Sequence, residues 1–200
     1  MKIVKNLKSL FYPGDGVSSA TGTIAGHEYV DLGLSVKWAT CNVGANSPED
    51  YGNYYAWGET SPKPSYEEVN SSTYRKEVGD IGGNAIYDAA RANWGSTWRL
   101  PTWNEIDELI KKCTWTWTKM TGKKGYKVTS KVNGKFIFLP AAGDCNDSSL
   151  VNAGSYGFYL SSTPRTSNTD YAYLLYFYRG YVDRDLVDRY FGQSVRPVSE

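Results

Sequence analysis

Hydrophobic and polar positions alternate over short runs along most of the chain, which is typical of β-strands. The stretch from Tyr29 to Val43 predicts short strands that break at Gly33. Residues 127–140, KVTSKVNGKFIFLP, contain two alternating runs around Asn133-Gly134. An Asn-Gly pair between such runs is a strong signal for a β-hairpin. The pattern therefore predicts antiparallel sheets built from short strands.

Two segments have helical rather than strand periodicity. Residues 85–93 predict a short helix that ends near Gly95. The clearest helix start is Thr102, because Glu105 lies three residues later and can complete a capping box. The helix after Thr102 has one apolar face and a basic end, formed respectively by Ile106, Leu109 and Ile110 and by Lys111 and Lys112. The predicted fold class is α+β, with short antiparallel strands, two helices and long loops such as residues 47–74.

The strand AYLLYFY, residues 172–178, has apolar residues on both of its faces. Alternation divides it into two sets, Tyr173, Leu175 and Phe177 on one side and Leu174, Tyr176 and Tyr178 on the other. The first set suits a packed core. The second would then form an exposed apolar and aromatic strip, which usually marks an interaction site. Residues 181–188 have neither helical nor strand periodicity and predict a surface loop.

This strand lies in a segment with its own amino-acid alphabet. From Tyr156 to Gly192 there is no Lys, Glu, Gln, Trp or Met, although these types make up about one residue in five before it. β-Propensity explains a shortage of Lys and Glu, but not the loss of Trp beside a gain of Asp and Arg. The five missing types have only codons that end in a purine. Asparagine codons randomised at their adenines would produce the alphabet observed, so the segment has the composition of a mutagenised surface.

Composition sets further limits. The chain of 200 residues is 40% hydrophobic and carries a net charge of +1, which favours one domain and neither nucleic acid nor an anionic membrane as partner. No apolar run is long enough to span a bilayer, so membrane insertion is not expected. Residues 1–26 predict a flexible lead-in or attachment segment without an evident signal peptide, and residues 27–200 the domain. Three cysteines without CxxC spacing favour free thiols, although one disulfide remains an alternative.

Catalytic, metal and cofactor sites are not indicated. His27 is the single histidine, and nothing near it resembles a nucleophile elbow. The segment GDCND, with Asp144, Asn146 and Asp147, has calcium-binding residue types, but such clusters in turns more often cap backbone groups. Arg99 and Arg196 are predicted to hold carbonyls or carboxylates of the scaffold. The seven tryptophans favour packing over a sugar-stacking platform; they are Trp38, Trp57, Trp94, Trp98, Trp103, Trp115 and Trp117.

Several segments in order carry a family resemblance: HEYVDLGLSVKWATCNVGANSPEDYGNYYAWGET, STWRLPTWNEIDELI, FIFLPAAG, YLSST and GQSVRPV. Together they resemble the Fibrobacter succinogenes major paralogous domain of Bacteroidetes surface proteins. That domain is a branch of the C-type lectin fold that also occurs in formylglycine-generating enzymes. The resemblance covers residues 27–200, with Leu160 where the family usually has Trp. It implies a C-type lectin-like fold.

Within that family, the altered alphabet before SVRPV is similar to the variable region of diversity-generating retroelement target proteins. The resemblance implies a variable ligand-binding region at about residues 156–192. The cysteine pair of the formylglycine-generating relatives and the iron-binding histidines of related sulfoxide synthases are missing, so neither activity is expected. The candidate ligand-binding residues are Tyr159, Leu174, Tyr176, Tyr178, Arg179, Tyr181, Asp183, Arg184, Asp185, Leu186, Val187, Asp188 and Phe191.

The hypothesis from sequence is a non-enzymatic binding protein of a phage virion, such as a tail tip, or of a bacterial cell surface. Its partner would be a protein or a glycan on a target cell. Two alternatives stay open: a fixed-specificity adhesin or carbohydrate-binding domain of a Bacteroidetes bacterium, and an inactive enzyme relative with a structural role. The sequence leaves the oligomeric state and the exact limits of the variable region open.

Overall fold

The computed structural model describes residues 20–200, which form an α+β domain of small antiparallel sheets with two α-helices. The helices are α1 (Ala89–Trp94) and α2 (Trp103–Lys112), and Glu68–Asn70 form a 3-10 turn. The strands are β1 (Gly22–Ile24), β2 (His27–Val30), β3 (Lys37–Ala39), β4 (Tyr54–Tyr55), β5 (Cys113–Met120), β6 (Lys123–Ser130), β7 (Phe136–Pro140), β8 (Asp144–Asn146), β9 (Ser149–Val151), β10 (Tyr156–Pro164), β11 (Tyr171–Tyr178), β12 (Tyr181–Asp188), β13 (Gln193–Ser194) and β14 (Val198–Ser199).

Four sheets are present among these residues. Their strand orders are β1-β2-β3-β14, β12-β11-β10-β13-β4, β5-β6-β7 and β8-β9. Strand β14 pairs with β3, so residues near the C-terminus belong to the first sheet. The predicted hairpin around Asn133-Gly134 is confirmed, because β6 and β7 pair antiparallel from Thr129 opposite Phe136.

Part of the predicted lead-in belongs to the fold. Residues 1–19 lie outside the described residues. Within residues 20–26, β1 pairs antiparallel with β2, with Gly22 opposite Tyr29. The boundary placed before His27 is therefore too late, because the backbone hydrogen bonds of β1 are part of the first sheet.

Helix α2 begins as its sequence predicts. The Thr102 hydroxyl accepts from the Glu105 N–H, and the Glu105 carboxylate accepts from the Thr102 N–H at 2.8 Å. Arg99 donates to both Glu105 oxygens, at 2.6 and 2.9 Å. The prediction that Arg99 binds a scaffold group is thus confirmed. Burial alone would raise the pKa of Glu105, but the Arg99 and Thr102 hydrogen bonds lower it below its ordinary value.

Helix α1 is shorter than its sequence pattern predicts. It begins at Ala89 rather than Ala85, because the buried Asp88 carboxylate caps its first turn by accepting from the Ala90 and Arg91 N–H groups. The same carboxylate accepts from Gly83 and Leu100, so it also fixes the loops on both sides. Four backbone donors satisfy this buried carboxyl group, which reduces the cost of burying it.

Two apolar clusters form the core. One joins α2, β6 and β7 with the inner face of β10 and β11, and includes Ile106, Leu109, Tyr159, Leu175 and Phe177. The other lies under the loop-rich half and contains Tyr55, Trp57, Leu160, Ala172 and Val195. The first cluster therefore covers the inner face of β10 and β11, while the other face of these strands is buried at Leu160, Ala172 and Leu174.

Arg196 connects these parts of the scaffold. Its buried guanidinium donates to the carbonyls of Ala39, Thr40 and Phe138 and to the Asn42 side chain. Burial lowers the pKa of Arg196. The predicted structural role of this residue is confirmed. None of the helices within residues 20–200 is long and apolar enough to cross a membrane.

Candidate functional site

The segment with the restricted alphabet forms strands β10, β11 and β12 at one edge of the five-stranded sheet. Strands β11 and β12 are joined by the two-residue turn Arg179-Gly180, with Tyr178 opposite Tyr181. Gly180 is the third residue of this turn and has a φ of 89°. A positive φ at this position favours glycine, which adopts it without strain. Gly180 thus permits the tight turn between the two strands.

The prediction of a surface loop at residues 181–188 is wrong. These residues form β12, which pairs with the whole length of β11 from Tyr171↔Asp188 to Tyr178↔Tyr181. Asp is disfavoured in strands, and the charged residues at 183–185 interrupt the alternation of apolar and polar positions that would predict a strand. Pairing with β11 supplies the hydrogen bonds that the local sequence does not predict.

The strand register decides which side chains point outward. Residues directly opposite each other share a face, so the outer face contains Tyr156 and Phe158 of β10, Tyr176 and Tyr178 of β11, and Tyr181, Asp183 and Asp185 of β12. The inner face contains Tyr159, Tyr173, Leu175, Phe177, Val182, Arg184 and Leu186. The alternation predicted for residues 172–178 is confirmed.

Five rings on the outer face contact one another; these are Tyr156, Phe158, Tyr176, Tyr178 and Tyr181, called here the aromatic cluster. Tyr178 and Tyr181 stack with ring centroids 5.1 Å apart, and Phe158 lies 5.1 Å from Tyr176. Tyr178 and Tyr181 are 38% and 41% exposed, and the other three rings are half-buried. Burial raises the pKa of Tyr176. The cluster is a pre-packed aromatic surface that remains open to solvent.

Two carboxylates border this cluster on the edge strand. The Tyr181 hydroxyl donates to Asp183 at 3.2 Å, and this hydrogen bond raises the pKa of Tyr181. The Asp183 and Asp185 carboxylates also accept from the N–H groups of Arg184 and Leu186, both at 2.8 Å. Those N–H groups face the free edge of the sheet, since alternate residues of an edge strand point away from its partner. Asp183 and Asp185 thus cap two of the outward donors of β12.

A concavity of about 250 Å³ lies beside the cluster. It is lined by Phe158, Leu174, Tyr176, Asp185, Leu186 and Val187. Leu174 is only 1% exposed, so its prediction as an outward contact is wrong. The residue is on the predicted face, opposite Leu160, which is itself 1% exposed, so this end of the face is buried.

Tyr159 is also wrongly predicted as a ligand contact. It is on the inner face, 2% exposed, and its hydroxyl donates to the Pro140 carbonyl at 2.7 Å. Its ring lies 5.8 Å from that of Phe177, and burial raises the pKa of Tyr159 to about 12. Tyr156 and Phe158, which the sequence interpretation left out of the contacts, occupy the outer face instead. The alternation of YGFYL around Tyr159 carries this information, with Gly157 and Tyr159 inward.

The remaining candidates on β12 divide between the faces. Arg184 is turned inward, where it forms an ion pair with Asp107 of α2 at 3.1 Å and lies 4.0 Å from the Trp103 ring. Leu186 is half-buried on the same face. Val187 and Asp188 are half-buried near the end of the strand. Burial, with the charge of Asp170, raises the pKa of Asp188. Arg184 is thus engaged by the scaffold, which removes it from the outward surface.

Residues after β12 return to the interior. Phe191 is half-buried against Tyr190, at 4.5 Å, and lies apart from the aromatic cluster. Arg189 is buried and donates to the carbonyls of Thr73, Lys76 and Tyr171. Burial lowers the pKa of Arg189. The outward surface formed by the candidates therefore consists of Tyr176, Tyr178, Arg179, Tyr181, Asp183, Asp185 and the half-buried Val187.

Other candidate chemistry has structural explanations in the described part of the chain. The His27 imidazole stacks on Trp94 at 3.8 Å, and burial lowers its pKa. Within GDCND, the Asp144 carboxylate accepts from Asn152 at 2.9 Å. Residues 20–200 contain no group of three or more His, Cys, Asp or Glu side chains placed to hold a metal ion. The cysteines Cys41, Cys113 and Cys145 are free, and burial raises the pKa of Cys113 to about 11.

Most tryptophans pack in the scaffold, as predicted. Trp38, Trp57 and Trp98 are buried, and the Trp57 indole donates to the Ser161 carbonyl at 3.0 Å. Trp117 is half-buried on β5 and borders the hairpin turn. The aromatic cluster is therefore built from tyrosines and one phenylalanine, with Trp117 beside it at the hairpin turn.

Comparison with protein-family models, with curated proteins and with solved structures finds no match to this chain.

Proposed function

We propose that the chain is a non-enzymatic ligand-binding protein whose binding surface is the outer face of β10, β11 and β12. The observation that carries the proposal is the aromatic cluster: five rings from the restricted-alphabet segment contact one another and remain accessible. Tyrosine suits such a surface because it offers a rigid ring and a hydroxyl at low ordering cost. A few such residues can dominate the affinity of an interface.

The fold proposed for the scaffold is C-type lectin-like, by resemblance to the Fibrobacter succinogenes major paralogous domain. The outer face would then be the variable region of a diversity-generating retroelement target protein. The restricted alphabet supports this origin. A protein whose binding specificity changes by mutation of this segment requires the mutated side chains to point outward. Tyr176, Tyr178, Tyr181, Asp183 and Asp185 meet that requirement. In this proposal Leu175 and Phe177 belong to the fixed framework.

The genomic surroundings test the retroelement origin. The proposal expects a reverse-transcriptase gene nearby and an imperfect copy of the codons for residues 156–192 that differs only at adenines. Those differences should concentrate in codons of the outer face, including Tyr156 and Phe158. A locus without such a copy would contradict the retroelement origin but would leave ligand binding by this face untouched.

Binding itself is tested on target cells. We propose a location on a phage virion or a bacterial cell surface, and a protein or glycan of a target cell as partner. The fluorescently labelled protein should stain a subset of bacterial strains in flow cytometry, and the variant Y178S/Y181S should lose that staining. The control is V69S/I86S, which removes two exposed apolar side chains elsewhere, 91% and 73% accessible. Equal staining by both variants would contradict the proposed face.

A fixed-specificity carbohydrate-binding adhesin is the second candidate. The pair Tyr178 and Tyr181 with neighbouring Asp183 offers rings for the apolar side of a sugar and a carboxylate for its hydroxyls. This candidate expects the same staining pattern but no template copy in the locus. The two experiments together separate it from the variable protein.

A further inference from the structure

A groove adjoins the aromatic cluster at the turn of the β11-β12 hairpin. It consists of two neighbouring concavities, of about 450 and about 280 Å³, which share Trp117, Lys124 and Arg179. Lys119 lines the first, and Tyr178 lines the second. Neither concavity is lined by an acidic residue. The groove is therefore an open cleft with positive side chains around aromatic rings.

The groove is held in place by hydrogen bonds between two hairpins. The Tyr126 hydroxyl of β6 donates to the Tyr178 carbonyl at 3.1 Å and accepts from the Gly180 N–H at 2.9 Å. Trp117 packs against the Tyr126 ring with centroids 5.0 Å apart. These contacts fix the hairpin turn against β5 and β6. A preformed site of this kind loses little freedom when a ligand binds.

The positive charges of the groove are not neutralised within the described residues. Lys119 and Lys124 are directly opposite each other on the β5-β6 ladder. Like charges at directly opposite positions repel and destabilise the strand pair. No carboxylate of residues 20–200 lies within 4.0 Å of these two amines or of the Arg179 guanidinium. The adjacent Lys123, by contrast, pairs with Asp50 at 2.8 Å. A bound anion would relieve this repulsion.

We propose that this groove binds the acidic group of an anionic polysaccharide, with the sugar ring against Trp117. Lys119, Lys124 and Arg179 would contact the carboxylate or sulfate group, because charge-assisted hydrogen bonds are the strong ones at such a surface. The inference rests on the proposed function, because Tyr156 and Tyr178 belong to both the groove and the aromatic cluster. The inference adds a class of ligand to the proposed function.

The groove fits a sugar better than a nucleic acid strand. Single-stranded nucleic acid requires a positive track along successive stacking rings. Here the three cations gather near Trp117, and the rings beyond Tyr156 and Tyr178 are bordered by Asp183 and Asp185 rather than by cations. Since Trp117, Lys119 and Lys124 precede Tyr156, they lie outside the restricted-alphabet segment. The β5-β6 side of the groove is then constant, whereas Arg179, Tyr156 and Tyr178 on its other side belong to the variable segment.

The test uses the full chain and defined polysaccharides in biolayer interferometry. Hyaluronan and polygalacturonate supply carboxylates, chondroitin sulfate supplies sulfates, and dextran is the neutral control. We expect binding to at least one acidic polymer and none to dextran, with affinity that falls as salt increases. The variant K119S/K124S should weaken binding about fivefold to thirtyfold. The variant R179S should also weaken binding to the acidic polymer.

The matched control is K111S/K131S, which removes the same charge from the end of α2 and the loop after β6. An equal loss of affinity in both double variants would show that the polymer is attracted to the overall charge, and it would overturn the proposed site in the groove. Failure of every acidic polymer to bind, equal binding of dextran, or tighter binding of single-stranded DNA or an acidic peptide would also overturn the proposal. Cell staining that is lost in Y178S/Y181S but unchanged in K119S/K124S would overturn the groove and keep the proposed function.

Discussion

Tyr176 and Phe177 are adjacent in the chain, yet their side chains have opposite environments. Phe177 is buried in the core against Tyr126 and Tyr159, whereas Tyr176 is part of the aromatic cluster. Because successive side chains of a strand point to opposite faces, one residue decides whether a substitution affects packing or the surface. A similar contrast separates Asp183 from Arg184. The first borders the cluster, and the second binds Asp107 of α2.

Substitutions on the two faces should differ in cost. We expect Y178S and Y181S to change the free energy of unfolding by less than about 1 kcal/mol each, because exposed substitutions are usually well tolerated. F177A should cost about 3–5 kcal/mol, because it leaves a cavity in the core. Chemical denaturation of the three variants checks this. Equal costs on both faces would contradict the assignment of the outer face.

Arg184 should behave as a scaffold residue rather than as a ligand contact. Replacing it with Ser removes the ion pair with Asp107 and the contact with the Trp103 ring. We expect a loss of about 0.5–2 kcal/mol of stability, with cell staining unchanged. A double-mutant cycle with D107N isolates the ion pair, since D107N should cost less in the R184S background. Loss of staining in a stable R184S variant would show that Arg184 contacts the ligand.

At the scale of elements, local signals define α2 and the β6-β7 hairpin, whereas pairing defines β12. The helix has its capping box and the hairpin its Asn-Gly turn. Strand β12 has charged residues that disfavour a strand, and it is stabilised by its ladder with β11. As an edge strand, it also exposes backbone donors. Asp183 and Asp185 cover two of these donors, which protects the edge from pairing with another chain.

The cap of α2 should make stability depend on pH. The pKa of Glu105 in the folded state is below its ordinary value of 4.5, so its contribution is present above that pH and is lost as pH falls through the folded pKa. E105Q should cost about 1–3 kcal/mol at neutral pH by weakening the pair with Arg99. The difference from the parent protein should shrink below about pH 4.5. Denaturation curves measured between neutral and acidic pH test this, and a difference independent of pH would contradict it.

Removing the caps of the edge strand should promote self-association. In D183A/D185A the N–H groups of Arg184 and Leu186 lose their carboxylate acceptors, and the edge loses two negative charges. We expect concentration-dependent dimers or larger species in analytical ultracentrifugation. The control E28A/E77A removes two exposed carboxylates elsewhere and should not change the association state. Association of both variants would indicate an effect of charge alone.

At the scale of the molecule, the scaffold separates the surface from the core. The α2 cluster covers the inner face of β10 and β11, while Arg196 ties β3, the following loop and β7 together. The outer face of the hairpin contributes little to these contacts. Such a division lets the surface change without loss of the fold.

A library experiment tests this division. One library randomises Tyr156, Phe158, Tyr176, Tyr178, Tyr181, Asp183 and Asp185 with codons that end in C, and a second randomises Tyr159, Leu175, Phe177 and Val182 in the same way. We expect most members of the first library displayed on yeast to resist proteolysis, and few of the second, because only the second removes core contacts. Similar surviving fractions would contradict a tolerant outer face.

The sequence alone determined the features that depend on neighbouring residues. Thr102 and Glu105 predict the start of α2, Asn133-Gly134 predicts a hairpin, and alternation assigns Leu175 and Phe177 to the face opposite Tyr176 and Tyr178. These signals depend on local hydrogen bonds and on the period of a strand, which the chain carries within a few residues.

Only the tertiary structure decided which outward positions stay exposed and what each inward one contacts. Leu174 is on the predicted outer face but is covered, and Arg184 meets Asp107 and Trp103 from a helix more than seventy residues earlier in the chain. The meeting of Arg179 with Lys119 and Lys124 likewise joins distant segments. Burial and charge at these positions depend on partners far away in the chain, and no local pattern specifies which partners those are.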